Sequence, residues 1–492
     1  MLQFEILLFA VLLLCMIGYF FPFHQRPKML LFLPYLGILI CCLHFFLGQY
    51  RWQIIPAYIL STLVFLIALY PKKKSPIPKA SLFKSVFTYS MAFLGILCII
   101  FSVALVLLFP LLSLPKPDGK YSVGITRFAL KDQNRLEKWS KEPGSHREIV
   151  VQVWYPAQKP DQAIKPAEYW DKAALISSLQ AQSFGVPPFL FQYLSLVKTN
   201  SYWNIPIAQE KEKYPVILFS PGFGSLFNEN SIQMEHLASH GYIVCSIAHT
   251  YETLVALFPD GKSIPYSKEV QESFIRHAQK TTSLWQEWIA SRDSSRKEAI
   301  VRQILTEDSF LDDNLRIRVK DIHLLLEELQ KTQSQDKYPF SQKLDMAKTG
   351  IFGHSLGGAT AVQAALENKS YKAVVNLDGL QAGDMIQGKT LESPLMIMYS
   401  ALFSGVNDFM LPSVKAPYTL ISIKGSSHIN YTDNPFLFPI TRMLGSSGKI
   451  NPARMNYIIS QSLLAFFNMH LQGEKTTIPM FPEAKIQSFL KN

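Results

Sequence analysis

Residues 348–358 read Lys348-Thr-Gly-Ile-Phe-Gly-His-Ser-Leu-Gly-Gly358, and this stretch decides the fold of the chain. A short β-prone run leads into a G-x-S-x-G turn centred on Ser355, and a helix-compatible run follows at 359–366. Because so tight a turn has no room for side chains beside the serine, it requires Gly353 and Gly357. The Ser355 hydroxyl would then lie at a helix N-terminus, where N–H groups and the helix dipole favour a developing negative charge. Strand, turn and helix together predict a nucleophile elbow.

Eight apolar runs of strand length predict a sheet, with the elbow after the fifth run. The first two runs indicate an antiparallel pair, whereas the others are dense enough for strands buried on both faces of a parallel sheet. The runs are 121–129, 148–154, 215–220, 242–247, 349–352, 373–377, 395–399 and 419–424. Helical stretches lie at about 229–240, 312–331, 357–368 and 453–471. We therefore expect an α/β protein with the α/β-hydrolase fold, in which helices flank a mostly parallel eight-stranded sheet.

Two insertions interrupt this predicted domain, at about 163–205 and 265–312. The first contains an aromatic-rich run with two prolines at 184–197, and the second is rich in charge and carries Trp285 and Trp288. We interpret the insertions as a cap over the site or as a surface that enters lipid. The alternative is that their apolar residues pack on the core.

The first 115 residues contain four long apolar runs, each close to or above the ~20 residues that cross a bilayer core. The runs lie at about 4–22, 29–48, 54–70 and 86–109. No basic segment or small-residue cleavage site marks the first run as a signal peptide. Residues 114–119, Leu-Pro-Lys-Pro-Asp-Gly, have the composition of a linker. We expect a transmembrane anchor module of about four helices at 1–115 and a catalytic domain at 116–492.

Basic residues between the apolar runs predict the orientation in the membrane. The loop after the first run has Arg26 and Lys28, and the loop after the second has Arg51 alone. The loop after the third run carries Lys72, Lys73, Lys74, Lys79 and Lys84. By the positive-inside rule the first and third loops are cytoplasmic, so the N-terminus and the catalytic domain lie outside the cytoplasm. Because Glu5 is the one acidic residue in these runs, an anchor is favoured over a transporter.

Composition excludes several other functions. Residues 1–115 hold eight of the 48 Lys and Arg residues but one of the 37 acidic residues. Since the positive excess concentrates there and no basic stripe with interleaved aromatic residues occurs, we exclude nucleic-acid binding. Four of the five cysteines lie in the apolar runs, and Cys245 is expected as a buried strand residue. With no disulfide in the catalytic domain and no Cys/His cluster at zinc spacing, we expect neither a cofactor nor a metal.

A serine nucleophile needs a base, and the candidates are histidines near the elbow. His428 directly follows the last predicted strand, where an α/β-hydrolase presents its base. His470 lies late in the final amphipathic helix and is expected on the surface. His354 is adjacent to Ser355, but its side chain should point away from the nucleophile. We therefore predict His428 as the base.

The orienting acid should lie between the nucleophile and the base in chain order. Asp378 follows the run 373–377 directly, Asp408 follows the next run after several residues, and Asp384 is a third candidate. Position alone favours Asp378 over Asp408 modestly. A plain turn-forming role for Asp378 is the alternative.

The oxyanion intermediate requires two backbone N–H donors. One is the N–H of the residue after the nucleophile, Leu356. The other should come from the loop Ser220-Pro-Gly-Phe-Gly-Ser225 after the third strand, where Gly222 allows close approach and Phe223 supplies the N–H. An ordinary turn is the alternative interpretation of this loop.

Seven motifs follow one another along the domain: Gly119-Lys-Tyr-Ser-Val-Gly124, Val153-Trp-Tyr-Pro156, Tyr214-Pro-Val-Ile-Leu-Phe-Ser-Pro-Gly222, Leu237-Ala-Ser-His-Gly-Tyr-Ile-Val244, Gly353-His-Ser-Leu-Gly-Gly-Ala-Thr360, Asn376-Leu-Asp-Gly379 and Lys424-Gly-Ser-Ser-His428. In these motifs, residues of about 117–475 resemble the platelet-activating factor acetylhydrolases of the plasma, calcium-independent type. The resemblance implies a triad of Ser355, Asp378 and His428. It also implies oxyanion donors at Phe223 and Leu356. The implied reaction is calcium-independent hydrolysis of short or oxidised acyl esters of phospholipids.

Two features depart from the family pattern. Pro221 stands where the family usually has a histidine, and the N-terminal helices are absent from the secreted members. We therefore expect an integral, multi-pass membrane protein that hydrolyses carboxylic esters at the lipid bilayer, like a 1-alkyl-2-acetylglycerophosphocholine esterase. A general carboxylesterase or lipase, or a polyester-type esterase, is the nearest alternative. A non-catalytic hydrolase-fold scaffold, or a transporter with an appended domain, is the alternative from another class.

Overall fold

A computed structural model describes residues 2–21, 27–70 and 82–490. Within this part of the chain the residues group into two compact units. The first unit comprises Met1–Leu112, Tyr169–Val197 and Leu437–Ile440, and the second comprises Ser113–Glu168, Lys198–Phe436 and Thr441–Asn492. Most of the first predicted insertion thus groups with the N-terminal helices.

The first unit is built from apolar helices. They are α1 (Gln3–Tyr19), α2 (Leu33–Phe46), α3 (Ile55–Leu69), α4 (Leu82–Leu108), α5 (Ala173–Phe184) and α6 (Phe189–Gln192). Two of the described segments are long and apolar enough to cross a membrane, namely Trp52–Leu69 and Ser85–Leu108. α1 and α2 are apolar but shorter, with 17 and 14 residues. The structure therefore gives four helices at the predicted places, and length and composition support two of them as membrane spans.

One buried ion pair neutralises the acidic residue of these helices. The guanidinium of Arg51 donates to both carboxylate oxygens of Glu5 at 2.7 Å, and both side chains are fully buried. Arg51 also donates to the carbonyl of Phe109 at 3.2 Å. A charge in an apolar setting is tolerated when it is paired and hydrogen-bonded in this way. The pair therefore links the start of α1 to the end of α4.

The residues that predicted the membrane orientation are mostly not described. Arg26 and the four residues Lys72, Lys73, Lys74 and Lys79 lie outside the described residues. Arg51, which follows the second apolar run, is the residue paired with Glu5. The predicted orientation accordingly stays a prediction.

The second unit contains the sheet. Its strands are β1 (Ser122–Leu136), β2 (His146–Ala157), β3 (Ser201–Trp203), β4 (Tyr214–Ser220), β5 (Ile243–Ala248), β6 (Val255–Leu257), β7 (Ser263–Pro265), β8 (Leu344–His354), β9 (Tyr371–Leu377), β10 (Leu395–Ser400), β11 (Tyr418–Ile423) and β12 (Ala484–Phe489). Ten of these described strands form one sheet in the order β12-β11-β10-β9-β8-β4-β5-β2-β1-β3, and β6 pairs with β7. The six strands from β5 to β11 in that order are parallel. A mostly parallel sheet in an α/β fold is thus confirmed.

The prediction of eight strands was wrong by two edge strands in the described sheet. β3 has three residues, too few for an apolar run, and it pairs with β1 at one edge of the described sheet. β12 pairs antiparallel with β11 at the other edge, and most of its residues are exposed. Edge strands carry little apolar density because one side faces solvent, which is why neither produced a sequence signal.

Helices of the second unit cover the sheet. They are α7 (Ser231–Ser239), α8 (Lys268–Ala290), α9 (Ser294–Thr306), α10 (Phe310–Thr332), α11 (Leu356–Glu367), α12 (Asn434–Leu437), α13 (Ile440–Met443) and α14 (Pro452–Phe467). The short helices α12 and α13 belong partly to the first unit. α10 and α11 contribute to one buried apolar cluster and α7 and α14 to another. The parallel strands place the loops after β4, β8, β9 and β11 at one edge of the sheet, where an α/β sheet binds its ligands.

Candidate active site

The nucleophile elbow is strained and held by close backbone contacts. Ser355 has φ 58° and ψ −127°, a conformation that costs a non-glycine residue free energy, between β8 and α11. A Cβ on Gly353 would lie 2.1 Å from the carbonyl oxygen of Gly357. A Cβ on Gly357 would lie 2.0 Å from the carbonyl oxygen of Ser220. Both glycines are therefore required by the backbone, as the sequence predicted, and they bring β4 and the elbow into direct contact.

The predicted base and acid lie within hydrogen-bonding distance. His428 Nδ1 is 2.9 Å from Asp378 Oδ2, and Asp378 Oδ1 accepts the Ser400 N–H at 2.6 Å. The Asp378 side chain is fully buried, whereas 41 % of the His428 side chain is exposed. Asp378 also has a positive φ of 54° directly after β9. The buried carboxylate of Asp378 thus holds Nδ1 of His428, while part of the His428 ring remains exposed to solvent.

The environment of His428 raises its pKa. Burial disfavours the charged imidazolium, but the hydrogen bond and negative charge of Asp378 outweigh burial, and Glu229 adds to them, so the pKa lies above its usual 6.5. A histidine in this state accepts a proton readily and holds Nδ1–H toward the carboxylate. Its Nε2 is then the free basic nitrogen.

The alternative acids and bases have other partners. Asp384 bonds Arg316 at 2.5 Å and Lys389 at 2.6 Å, which lowers its pKa. Asp408 is exposed and begins a short 3₁₀ helix after β10. His470 is half-buried with its ring 4.6 Å from that of Phe466, in the π-helical turn after α14. Of the three candidate acids, Asp378 is therefore the one that contacts His428.

The loop after β4 presents one unpaired N–H. Gly222 N–H donates to Glu229 Oε1 at 2.5 Å, and Gly224 N–H donates to the carbonyl of Glu252 at 2.9 Å. Among the described residues, the N–H of Phe223 between them has no hydrogen-bond partner. Leu356 is the first residue of α11, so its N–H has no carbonyl within the helix to bind. The sequence predicted these two N–H groups as the oxyanion donors, and that role stays a prediction.

A buried arginine supports this loop. Arg318 on α10 is fully buried and donates to Glu252 Oε2 and to the carbonyl of Pro221, each at 2.7 Å. Its guanidinium also lies 5.4 Å from the ring centre of Phe223. A charged hydrogen bond in a buried setting is among the stronger polar interactions of a protein. Arg318 therefore fixes both the backbone and the aromatic ring of the oxyanion loop.

His354 does more than occupy the elbow. Its Nδ1 lies 3.3 Å from Glu229 Oε1, and its Nε2 lies 3.3 Å from the carbonyl oxygen of His428. The rings of His354 and His428 are 4.7 Å apart. Burial opposes the charge of Glu229, but His354 and the Gly222 N–H outweigh it and lower its pKa. Glu229 and His354 thus connect the oxyanion loop to the loop that carries the base, a link that sequence analysis missed.

A second Ser-His-Asp arrangement lies buried in the same unit. Ser220 Oγ is 2.9 Å from His249 Nε2, and His249 Nδ1 is 2.9 Å from Asp321 Oδ2. All three residues are fully buried. Burial also lowers the pKa of His249 to about 4, and Asp321 is paired with Arg147 and Arg135. With no access to solvent, this arrangement supports β4 rather than reacting with a substrate.

Aromatic side chains surround the candidate site. The Phe403 ring lies 6.0 Å from His428 and 5.2 Å from Trp285. On the oxyanion side, the Phe223 ring contacts Phe274 at 5.3 Å and Phe310 at 5.1 Å. Trp285 and Phe274 belong to α8, in the second predicted insertion. The insertion therefore contributes aromatic side chains near His428, by way of Phe403, and next to Phe223.

An elbow serine, a histidine paired with a buried aspartate and two N–H donors on one sheet edge define the class of serine ester hydrolases with an α/β-hydrolase fold. The fold has a solved counterpart in a ferulic acid esterase from Streptomyces cinnamoneus, with a TM-score of 0.57 and 23 % identity over 76 % of this chain and 98 % of that chain.

The family follows from sequence comparison. Residues 108–478 match the family model of platelet-activating factor acetylhydrolase, isoform II, so the chain belongs to that family and is a serine carboxylic ester hydrolase. Among its relatives is the platelet-activating factor acetylhydrolase of Cavia porcellus, 28 % identical over 74 % of this chain and 79 % of the relative. That of Canis lupus familiaris is 26 % identical over 73 % of this chain and 77 % of the relative. The family predicted from the motifs is thus confirmed.

We expect Glu229→Ala to lower kcat with little change in KM. The substitution removes the acceptor of the Gly222 N–H and the partner of His354, so the oxyanion loop and the base loop lose their connection. Misplacing a catalytic group by a small distance costs up to about 10²-fold in rate. Steady-state hydrolysis of a soluble p-nitrophenyl ester measures the effect.

Glu229→Gln is the matched control, because its amide oxygen can still accept the Gly222 N–H. We expect it to recover most of the lost kcat. Glu229→Ala with the kcat of the wild type would show that the link has no role in positioning.

The pH dependence of hydrolysis should report the raised pKa of His428. The base must be neutral to act, so kcat/KM should fall with decreasing pH through a midpoint above the usual 6.5. In Asp378→Asn the stabilising charge is lost, so the midpoint should move to lower pH while the rate falls. A pH–rate profile of both proteins measures this shift, and identical midpoints would contradict the proposed pairing.

Proposed function

We propose that the protein is a membrane-anchored serine esterase that hydrolyses phospholipid-like esters with short or oxidised acyl groups. Ser355 is the nucleophile, His428 the general base and Asp378 the orienting acid. Phe223 and Leu356 supply the N–H groups that bind the oxyanion. The single observation that carries the proposal is the 2.9 Å contact between His428 and the buried Asp378, on the sheet edge that also presents the strained Ser355.

The mechanism follows from these positions. Ser355 Oγ attacks the ester carbonyl carbon while its proton passes to His428 Nε2, and the carbonyl oxygen becomes an oxyanion between the two N–H groups. The intermediate collapses, the bond to the alcohol breaks, and His428 returns the proton to the leaving alcohol. Water then attacks the acyl-enzyme by the same route and releases the acid. Asp378 keeps Nδ1 protonated throughout and stabilises the imidazolium.

The substrate class is supported by the family and by the site's lining. The relatives are named for platelet-activating factor, an ester substrate of acetylhydrolases. The aromatic side chains of Phe403, Trp285 and Phe223 offer apolar surface beside the nucleophile for an acyl or alkyl chain. The proposed steps require no calcium ion, because backbone N–H groups bind the oxyanion.

Anchoring by residues 1–115, ahead of a catalytic domain at 116–492, is part of the proposal. Support comes from the two helices of spanning length, from the apolar α1 and α2, and from the neutralised pair of Glu5 and Arg51. In the same unit the Trp52 ring lies 5.5 Å from Phe189, and Phe184 is 59 % exposed. Aromatic residues of this kind suit a membrane–water interface. We propose four spans, with the catalytic domain outside the cytoplasm.

Labelling by a fluorophosphonate probe tests the nucleophile. We expect the detergent-solubilised wild type to be labelled and Ser355→Ala to lose labelling, together with roughly 10⁴-fold or more of its hydrolysis rate. Asp378→Asn should lose rate on a similar scale because the histidine loses its tautomer. Asp408→Asn is the matched control and should keep the wild-type rate.

Lipid substrates of graded acyl length then test the substrate class. Faster hydrolysis of 2-acetyl than of 2-palmitoyl phosphatidylcholine in mixed micelles would support the proposal. Labelling that persists in Ser355→Ala would exclude Ser355 as the nucleophile. Normal labelling with hydrolysis of simple esters alone would favour a general carboxylesterase, and absence of labelling in liposomes as well would favour a scaffold.

Cysteine labelling in sealed vesicles tests the membrane orientation. Lys475→Cys places a thiol on an exposed residue of the catalytic domain, and Ser75→Cys places one in the loop predicted to be cytoplasmic. In right-side-out vesicles an impermeant maleimide should label Lys475→Cys and leave Ser75→Cys unlabelled until the vesicles are opened. The reverse pattern would overturn the orientation, and labelling of both would overturn the four-span arrangement.

A further inference from the structure

Three side chains of metal-ligand type converge where the chain enters β1. They are Asp118, which precedes β1, and His236 and His240 at the end of α7, and one ligand atom of each lies within 4.8 Å of the others. Asp118 Oδ1 is 2.9 Å from His236 Nε2 and 3.6 Å from His240 Nε2. Ligands around a tetrahedral zinc ion, at about 2.1 Å from the metal, lie about 3.4 Å apart. The spacing therefore suits one shared cation.

Local structure brings these residues together. His240 lies four positions after His236, so their rings lie on one face of the helix end, 4.6 Å apart. Asp118 is held beside them because Gly119 N–H donates to Ser239 Oγ and Tyr121 N–H donates to the Ser239 carbonyl. A Cβ on Gly119 would lie 2.2 Å from that carbonyl oxygen. The backbone thus fixes the carboxylate against the two rings.

The hydrogen bonds of His240 leave a lone pair facing the carboxylate. Its Nδ1 lies 3.0 Å from the carbonyl oxygen of His236, so Nδ1–H donates there and Nε2 carries no proton in the neutral ring. That lone pair meets Asp118 Oδ1, which is also an acceptor. A metal-bound histidine characteristically donates its other N–H to a backbone carbonyl in this way.

His236 adds to the surplus of acceptors. Its Nε2 faces Asp118 Oδ1 and also lies 3.2 Å from the side-chain amide of Gln461 on α14. Rotation of that amide by 180° presents its oxygen to the same point. Asp118 Oδ1 and the Nε2 atoms of His236 and His240 then have at most one ring proton among them, that of His236. A divalent cation in place of the proton satisfies all of them.

We propose that Asp118, His236 and His240 form a binding site for a divalent transition-metal ion such as Zn²⁺, with Gln461 or water completing the coordination. Two imidazoles and a carboxylate are ligands that such ions prefer. The proposal departs from the sequence expectation of no metal, because two histidines alone do not form a set of zinc ligands and the third group, Asp118, is distant in the sequence. The ion would tie the segment before β1 to α7.

The location predicts a structural, exchangeable ion. The Asp118 side chain is 61 % exposed and that of His240 is 25 % exposed, so chelators and solvent reach the site. None of the three residues belongs to the candidate active site. Removal of the ion should therefore leave ester hydrolysis unchanged at low temperature and loosen the entry of the chain into the domain.

Cobalt binding by the full-length, detergent-solubilised protein tests the site after treatment with EDTA. We expect one equivalent of Co²⁺ to produce visible absorption of a protein-bound ion, and Zn²⁺ to displace it. Asp118→Asn and His240→Gln should each weaken the affinity at least about 10-fold. His470→Gln, a half-buried histidine outside the cluster, is the matched control and should bind as the wild type does.

Ester hydrolysis in EDTA verifies that each variant is folded. Because Asp118 is exposed, Asp118→Asn should disturb folding less than His240→Gln. Absence of a bound-cobalt spectrum in the folded wild type would overturn the proposal and leave an ordinary hydrogen-bonded cluster. Binding that both variants retain at full affinity would place the metal elsewhere and overturn it equally.

Discussion

The contact between two backbones at the elbow is the constraint on which the rest of the site depends. Gly357 packs so closely on the carbonyl of Ser220 that no side chain fits between them. This contact joins the end of β4 to the start of α11, and those two places carry Phe223 and Leu356. The strained φ of Ser355 is maintained because β8 is paired on both sides and α11 is buried. The strained backbone of Ser355 is thus held between the paired strand β8 and the buried helix α11.

Charged side chains buried beneath the site hold its loops and strand ends in fixed positions. Arg318 bonds the oxyanion loop directly, while Asp321 holds His249, which in turn bonds Ser220 at the end of β4. A buried ion costs several kcal/mol unless it is paired, so each of these groups tolerates few arrangements of its neighbours. These buried pairs therefore hold the loop in one conformation. Without them, its unpaired N–H groups would turn toward carbonyl groups of the same loop.

Sequence reasoning reached the parts of the site that depend on local pattern. The elbow, the dense parallel strands and the two expected glycines follow from steric and periodic rules that act within a few residues. Glu229, Arg318 and Asp321 could not be found this way, since each acts on a residue 7 to 125 positions away. An acidic or basic residue in an amphipathic helix looks solvated until the fold buries it. No contacts were predicted for His354, because the G-x-S-x-G motif constrains the serine and the two glycines but not the residue between Gly353 and Ser355.

The buried Ser220, His249 and Asp321 show why residue type and hydrogen-bond order do not define a catalytic triad. Their distances match those expected of a working triad, yet all three are fully buried and His249 is held neutral by burial. Ser355 differs in its environment: its hydroxyl starts a helix, unpaired N–H groups lie nearby, and His428 keeps 41 % of its side chain exposed. Reactivity therefore requires an approach path for the ester and a site for the oxyanion. On the proposed assignment the elbow supplies both, whereas the described Ser220, His249 and Asp321 are closed to solvent.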